Sequence, residues 1–599
     1  MRAPLLFLLP VLVSCDIDVA TDAGNTESGE DFVARINAEL KEINRELGAA
    51  EWVRVTYINE DTAILNSLAN ERYSEWHSQS VAESLRYQGA DLSPESERAL
   101  KLLKLGTSAP APADAAKRRE LAELTTELEG MYGAGKYCPA DGRDCMDLPV
   151  LRDIMAQSRD YDELLDAWRG WRTISPPMRE KYQRYAQLVN EGAAELGYQD
   201  LGDKWKSAYD MSPVDFEHET LRLWEQVEPL YDQLHCHVRA KLADHYGEDK
   251  VPLDAPIPAH LLGNMWGQQW GFLYDMLEPY SGVADLDVDT ALAEQEYTPV
   301  QMVESAERFY VSLGLPELPD TFWTRSQFSK PADREVVCHA SAWGLDGGND
   351  LRIKMCIKQT YDELRVIYHE LGHNYYQGAY KDQPPLFQGG AHGGFHEAIG
   401  DTVTLSMTPA YLREVGLISS VEENNKAVIN RQMQQALDKI AFLPFGKMID
   451  EWRWRVFSGE IAPEDYNKAW WELRTRYQGI AAPVARSEDD FDPGAKYHIP
   501  ANVSYTRYFL AHILQFQFHR ALCGAAGFEG PLHECSIYGS KEAGRRFKAM
   551  LEAGQSEPWQ LTLEKLTGAG EMDATAIIDY FAPLMEWLKE QNRGRSCGW

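Results

Sequence analysis

Residues 369–373 read His-Glu-Leu-Gly-His and follow Tyr361-Asp362-Glu363-Leu364-Arg365-Val366-Ile367-Tyr368, a stretch that predicts a helix. On a helix, positions four apart share a face. His369 and His373 can therefore offer two imidazole nitrogens to one Zn²⁺, while Glu370, one residue round, can take a proton from an attacking water. The chemistry this would support is metal-assisted peptide hydrolysis. The alternative is a coincidental pair of surface histidines. With 15 His in 599 residues, a chance match has odds on the order of a few per cent. A third ligand discriminates the two readings, because catalytic zinc keeps three protein ligands and one open position. Glu397, in Gly394-Phe395-His396-Glu397-Ala398-Ile399-Gly400-Asp401, lies far enough beyond His373 for a helix, a turn and a returning helix. Asp401 falls one turn later, where it can accept the outer N–H of a ligating imidazole and fix its tautomer.

The elements that must position these groups read as mostly helical. Phe32, Ile36, Leu40, Ile43 and Leu47 trace one apolar face, and Leu121, Leu124, Leu128 and Met131 another. Strand signals are few, the clearest being Glu335 to Ala342 and Leu351 to Ile357 around the turn-rich Gly344-Leu345-Asp346-Gly347-Gly348-Asn349. No Pro/Gly/Ser-rich linker follows residue 33 and no internal repeat is present, which predicts one large domain. A formal charge of −34 without a basic stripe argues against nucleic acid as a partner.

The pattern extends well beyond the histidine motif. It includes Cys338-His339-Ala340-Ser341-Ala342-Trp343, Ala441-Phe442-Leu443-Pro444-Phe445 and Phe491-Asp492-Pro493-Gly494-Ala495-Lys496-Tyr497-His498-Ile499-Pro500. With these segments the chain resembles the angiotensin-converting enzyme family of zinc peptidyl-dipeptidases, from about residue 35 to Trp599. The resemblance implies a mainly α fold: a single large helical zinc-peptidase domain with a deep central cleft and a small antiparallel sheet beside the metal site. It implies Zn²⁺ on His369, His373 and Glu397, Glu370 as general base, and Tyr508 and His498 as donors to the developing oxyanion. His339 and the main chain of Ala340 and Ala342 would hold the peptide as an added strand.

Release of dipeptides requires recognition of a free C-terminal carboxylate, and Lys496, Gln268 and Tyr505 match the family's clamp. In the family's carboxypeptidase branch an arginine stands in place of that glutamine and shortens the pocket. Five further positions match its two chloride sites: Arg172, Trp470 and Arg474 for one, Tyr209 and Arg507 for the other. Chloride is thus expected as an activating anion, unless nearby carboxylates serve these arginines instead. Two positions depart from the pattern: His512 replaces a phenylalanine lining the pocket for the final residue, and Arg365 a small apolar residue near the preceding one. Asp438, Lys439 and Phe442 on the opposite wall are retained. Two other functions are compatible with the fold: a zinc endopeptidase that ignores chain ends, which the clamp disfavours, and a non-catalytic peptide-binding relative, which Glu370, His498 and Tyr508 disfavour.

The pairs Cys138 with Cys145, Cys338 with Cys356 and Cys523 with Cys535 match the family's three disulfides, the middle pair linking the two predicted strands, and leave Cys236 and Cys597 unpaired. Met1-Arg2 and the short apolar run Leu5 to Leu12 read as an export signal, and Leu12-Val13-Ser14-Cys15 resembles the lipobox of bacterial lipoproteins. Residues 1–15 are expected to be the signal peptide, 16–33 a flexible tether and 34–599 the catalytic domain. The chain would be exported to the bacterial cell envelope and held by lipid on Cys15 at the periplasmic side of a membrane, with oligopeptides bearing a free C-terminus as its partners.

Overall fold

The computed structural model describes residues 27–283, 286–419 and 424–599. Cys15, the signal peptide and residues 16–26 of the tether lie outside them. The first helix, α1, spans Gly29–Thr56, so the expected tether ends earlier than residue 33. Ser28 caps it by accepting from the Asp31 N–H, and Glu30 and Asp31 sit in its first turn, where acidic groups favour the positive end of a helix. Residues that look like polar tether in sequence are thus a helix start, and Phe32 behind them is fully buried. Helices α2 (Glu60–Ser84) and α3 (Pro94–Leu105) pack on α1 around a small core of their own, in which Phe32, Val33 and Ile36 meet Val81, Leu100, Leu103 and Phe387.

The main core is built around two long helices, α4 (Pro213–Tyr246) and α7 (Asn425–Phe457). From Ile440 to Trp454 every residue of α7 is buried, so it has no solvent face and its sequence shows no amphipathic stripe. Two helices carry the histidine motif and the returning acidic segment: α5 (Tyr361–Ala379) and α6 (Gly393–Leu405). Helices α8 (Tyr466–Gln478) and α9 (Thr506–Ala525) complete the set that shapes the site. Among the described residues, no helix is long and apolar enough to cross a membrane.

Strands are few and short, as expected. A two-residue parallel pair joins β1 (Ile257–Pro258) to β4 (Ile480–Ala481), and the hairpin β2 (Ser341–Leu345) and β3 (Asp350–Lys354) is antiparallel with Ala342 opposite Ile353. Asp346, Gly347 and Gly348 turn it in left-handed conformations. The hairpin is shifted from its expected limits, because residues 335–340 are not in the ladder. The Glu335 carbonyl accepts from Ile58 N–H and the Val337 N–H donates to Val55, at the end of α1. The Val337 and His339 carbonyls accept from Lys354 Nζ at 2.7 and 2.5 Å. The backbone groups that would extend β2 are thus already engaged.

The three expected disulfides are present, in three different settings. Cys523 and Cys535 are bonded inside the core, and Cys338 and Cys356 close the base of the hairpin. Cys138 and Cys145 are bonded to each other at the surface. Cys145 is exposed and belongs neither to the core nor to the active site, because its neighbour Met146 pairs with Tyr137 through backbone bonds of 2.8 and 2.7 Å and the bond only closes the short loop between them. A fourth disulfide, Cys236–Cys597, corrects the expectation that these two are unpaired. The C-terminal tail folds back on α4, where Arg239 donates to the Ser596 and Gly598 carbonyls at 2.9 and 2.6 Å, and Trp599 packs 4.6 Å from the His235 ring. Cys236 faces the same tail from the turn before Arg239. A cross-link spanning 361 residues restricts the unfolded chain strongly, and losing a native disulfide typically costs about 2–5 kcal/mol. The double variant Cys236→Ala/Cys597→Ala should therefore unfold several degrees lower in calorimetry with its zinc content unchanged; an unchanged Tm would show that Arg239 and Trp599 alone secure the tail.

Candidate active site

Helix α5 is opened by Thr360, whose hydroxyl accepts from Glu363 N–H, and α6 by His392, whose Nδ1 accepts from Gly394 N–H. The two helices cross in close contact at Gly372 and Gly400. A Cβ on Gly400 would lie 2.3 Å from the His369 carbonyl oxygen, and one on Gly372 would lie 2.6 Å from the Gly400 Cα. No side chain larger than hydrogen fits there without separating the helices. This crossing brings His369, His373 and Glu397 together as three donors whose ligating atoms all lie within 4.8 Å of one another. The two Nε2 atoms are 3.1 Å apart, and His369 Nε2 is 3.9 Å from Glu397 Oε2. Ligand bonds of about 2.0–2.2 Å around a tetrahedral Zn²⁺ separate donors by about 3.4 Å, so the set fits that ion.

Asp401 accepts from His369 Nδ1 at 3.0 Å, which leaves Nε2 with its lone pair facing the other two donors. Burial opposes the charge on Asp401, but Lys439 at 2.7 Å and His369 outweigh it and hold the carboxyl well below its ordinary range. His373 is oriented differently, its Nδ1 lying 3.1 Å from His396 Nδ1, whose Nε2 is 3.2 Å from the Tyr380 hydroxyl. Glu370 is 8 % exposed, and burial raises its pKa, which strengthens it as a proton acceptor.

The facing wall is positioned by a buried ion pair on α7. Asp450 pairs with Arg453, and its Oδ2 accepts from the N–H groups of Tyr505 and Thr506, both at 2.7 Å, capping α9 from a neighbouring helix. Arg453 also donates to the His498 and Val503 carbonyls at 2.9 and 2.7 Å. One pair thereby fixes both the His498 loop and the start of the helix bearing Tyr508. The rings of His498, Tyr505 and Tyr508 stack edge to face, at 4.7 Å for His498–Tyr505 and 5.1 Å for Tyr505–Tyr508. Burial, then the charges of Lys496, Arg453 and Arg507, lower the His498 pKa to about 3, so the ring is neutral. Burial raises that of Tyr508, so its phenol keeps its proton and can donate.

Lys496 is 5 % exposed and donates to Gln268 Oε1 at 2.6 Å, with the Trp266 ring 4.3 Å away and those of Tyr505 and Phe445 at 5.4 and 5.5 Å. Among the described residues no carboxylate pairs with it, and burial lowers its pKa to about 7. A buried ammonium without a counter-ion is a receptor for an anion. His339 is exposed beside Ala340, and Ala342 lies in β2; the two-stranded sheet leaves the other edge of that strand open among the described residues.

The five anion-site positions form two groups. Arg172 and Arg474 are both buried, donating to the Met265 and Trp266 carbonyls at 3.0 and 2.5 Å, with Trp470 beside Arg474. Burial lowers both pKa values to about 9, and the Nε of each is buried without a hydrogen-bond partner. The nearest carboxylate, Asp492, stands 3.7 Å from Arg172 Nε and is already gripped by Arg486 and the Trp471 indole. Arg507 Nε is likewise unpartnered, near the Tyr209 ring, whose phenol burial pushes up to about 12 and Arg507 draws down.

Sequence reasoning missed His396, Lys439 as the partner of Asp401, and the Asp450–Arg453 pair. His396 was within reach, standing beside Glu397 in the same segment. The other two depend on α7 crossing behind the site, which spacing does not reveal.

The sequence profile described as Angiotensin-converting enzyme matches residues 23–599. The angiotensin-converting enzyme of Bos taurus is 41% identical over 97% of this chain and 45% of its own length; that of Sus scrofa is 46% identical over 80% of this chain and 37% of its own. That of Theromyzon tessulatum is 43% identical over 83% of this chain and 81% of its own. The chain thus spans less than half the length of the Bos taurus and Sus scrofa relatives. A profile match over nearly all of the chain, on a helical fold that closes His369, His373 and Glu397 into one donor set, places it in the angiotensin-converting enzyme family.

Proposed function

We propose that the protein is a zinc-dependent peptidyl-dipeptidase that removes dipeptides from the free C-terminus of oligopeptides. The observation that carries this reading is Lys496, a buried cation without a protein carboxylate among the described residues, grouped with Gln268 and Tyr505. His369, His373 and Glu397 would hold Zn²⁺, which when bound supplies a Lewis acid and makes water a nucleophile near neutral pH. The substrate carboxylate pairs with Lys496 and holds it in its charged form. The peptide backbone adds to the free edge of β2 at Ala342 and runs on past Ala340, just before the strand, with His339 alongside. Glu370 takes the proton of the attacking water and passes it to the leaving amine. Tyr508 and His498 donate to the carbonyl oxygen as charge builds on it. Glutamine rather than arginine at 268 keeps the pocket long enough for two residues.

The unpartnered Nε atoms of Arg172, Arg474 and Arg507, with Trp470 and Tyr209 beside them, support bound chloride at Arg172/Trp470/Arg474 and Tyr209/Arg507. An anion at the first site would offset the charge of Arg474, which opposes protonation of Lys496. At the second it would steady Arg507 between Tyr505 and Tyr508. The lipobox-like Cys15 supports export and a lipid anchor in a bacterial envelope, tested by acyl mass on the mature N-terminus.

A free peptide should be shortened two residues at a time, its C-terminal amide should be cut far more slowly, and Glu370→Gln should lose at least about two orders of magnitude in kcat at equal zinc content. Equal cleavage of both peptides at internal bonds, read by mass spectrometry, would establish an endopeptidase instead. At constant ionic strength kcat/KM should rise with chloride, and Arg507→Gln should flatten the response; a rate indifferent to chloride in the parent would assign these arginines to protein carboxylates.

A further inference from the structure

His512 lies on α9 one turn beyond Tyr508, and its Nδ1 is 2.8 Å from the Tyr508 carbonyl oxygen. A carbonyl only accepts, so Nδ1 carries the proton, and the neutral ring leaves Nε2 as a bare acceptor. Nε2 has no hydrogen-bond partner among the described residues, and the ring is only partly buried. Its plane lies against Phe442, with centroids 4.5 Å apart at 27°, so Phe442 shares its wall and does not stand opposite as expected, and the ring cannot turn without losing that stack. Phe442 in turn packs against Tyr505 of the carboxylate clamp at 5.8 Å. On the other side, Asp438 accepts from Gln269, and Lys439 holds the Asp401 that orients His369. Through Phe442, His512 therefore adjoins Tyr505 of the clamp, and on the functional reading above the side chain of the last substrate residue comes to this wall. Desolvation, then Lys439, lower the ring's pKa and outweigh Asp401 and Asp438, which raise it, so the ring remains an acceptor at neutral pH.

We infer that His512 is a specificity-determining residue that selects peptides whose final side chain carries a hydrogen-bond donor. The inference rests on the peptidyl-dipeptidase reading above. An apolar final residue would cover Nε2 without pairing it, whereas a phenol, indole or ammonium group would satisfy it. Asp438, which no cation pairs with among the described residues, adds to the preference for a donor. The Nδ1 bond to the backbone sets the selection, because it decides which nitrogen faces the pocket.

The test uses the zinc-loaded full chain and two matched pairs of peptides, ending in Tyr or Phe and in Lys or norleucine. In the parent, the donor-bearing member of at least one pair should have the higher kcat/KM by about three- to tenfold, carried by KM. His512→Phe should bring that ratio to about twofold or less, and His512→Gln, which restores an acceptor, should recover part of it. Release of dipeptides with no preference for either donor, or a preference that survives in His512→Phe, overturns the inference alone. Absence of dipeptide release from all four peptides overturns the functional reading, and this inference with it.

Discussion

The close crossing of α5 and α6 is the constraint on which the site depends. Three donors from two helices converge only because Gly372 and Gly400 let the backbones touch, with the Gly400 Cα packed against the turn that carries His369. A methyl group at either position would push Glu397 and Asp401 away from the histidines they serve. Asp401 belongs to the same helix as Glu397, so one displacement would cost the third ligand and the orientation of the first together.

The second organising feature is uncompensated positive charge in a very acidic chain. With a formal charge of −34, carboxylates are plentiful, yet among the described residues Lys496 has none beside it, and Arg172, Arg474 and Arg507 each keep a buried Nε unsatisfied. Other buried cations are met by a carboxylate, as Arg453 by Asp450 and Lys447 by Glu451, or by main-chain carbonyls, as Arg239 and Lys354. The unpaired cations cluster instead along the Trp266–Gln268 loop and the start of α9, behind the clamp and the oxyanion donors. Leaving a buried charge unpaired is costly, and the cost is recovered when an anion arrives.

The local chemistry was legible in the sequence where spacing along one helix decides geometry. His369 and His373 share a face by helical repeat alone, and Glu397 and Asp401 are one turn apart, so the donor set and its orienting carboxylate could be read directly. The clamp and the anion positions came from resemblance, since nothing in local spacing links Gln268 to Lys496. The pairing of Cys236 with Cys597 was hidden for a related reason: it depends on a tail that Arg239 and Trp599 fold back onto α4. The β2–β3 hairpin was placed near its true position but too early, because Lys354 and the end of α1 claim the polar backbone groups of residues 335–340. Acidic residues near the N-terminus read as tether when two of them in fact begin α1. For the disulfide and the hairpin a tertiary partner overrode a local signal, whereas the start of α1 was marked locally by the Ser28 cap.

The helix crossing is most directly tested by the zinc affinity of Gly400→Ala, measured by competition with a chelator on protein whose helix content is confirmed by circular dichroism. If the crossing builds the donor set, the variant stays folded but binds zinc at least about tenfold more weakly, and activity falls with metal content. Parent-like affinity in a folded Gly400→Ala protein would contradict the account, because it would mean that the three donors assemble without the contact proposed to hold them.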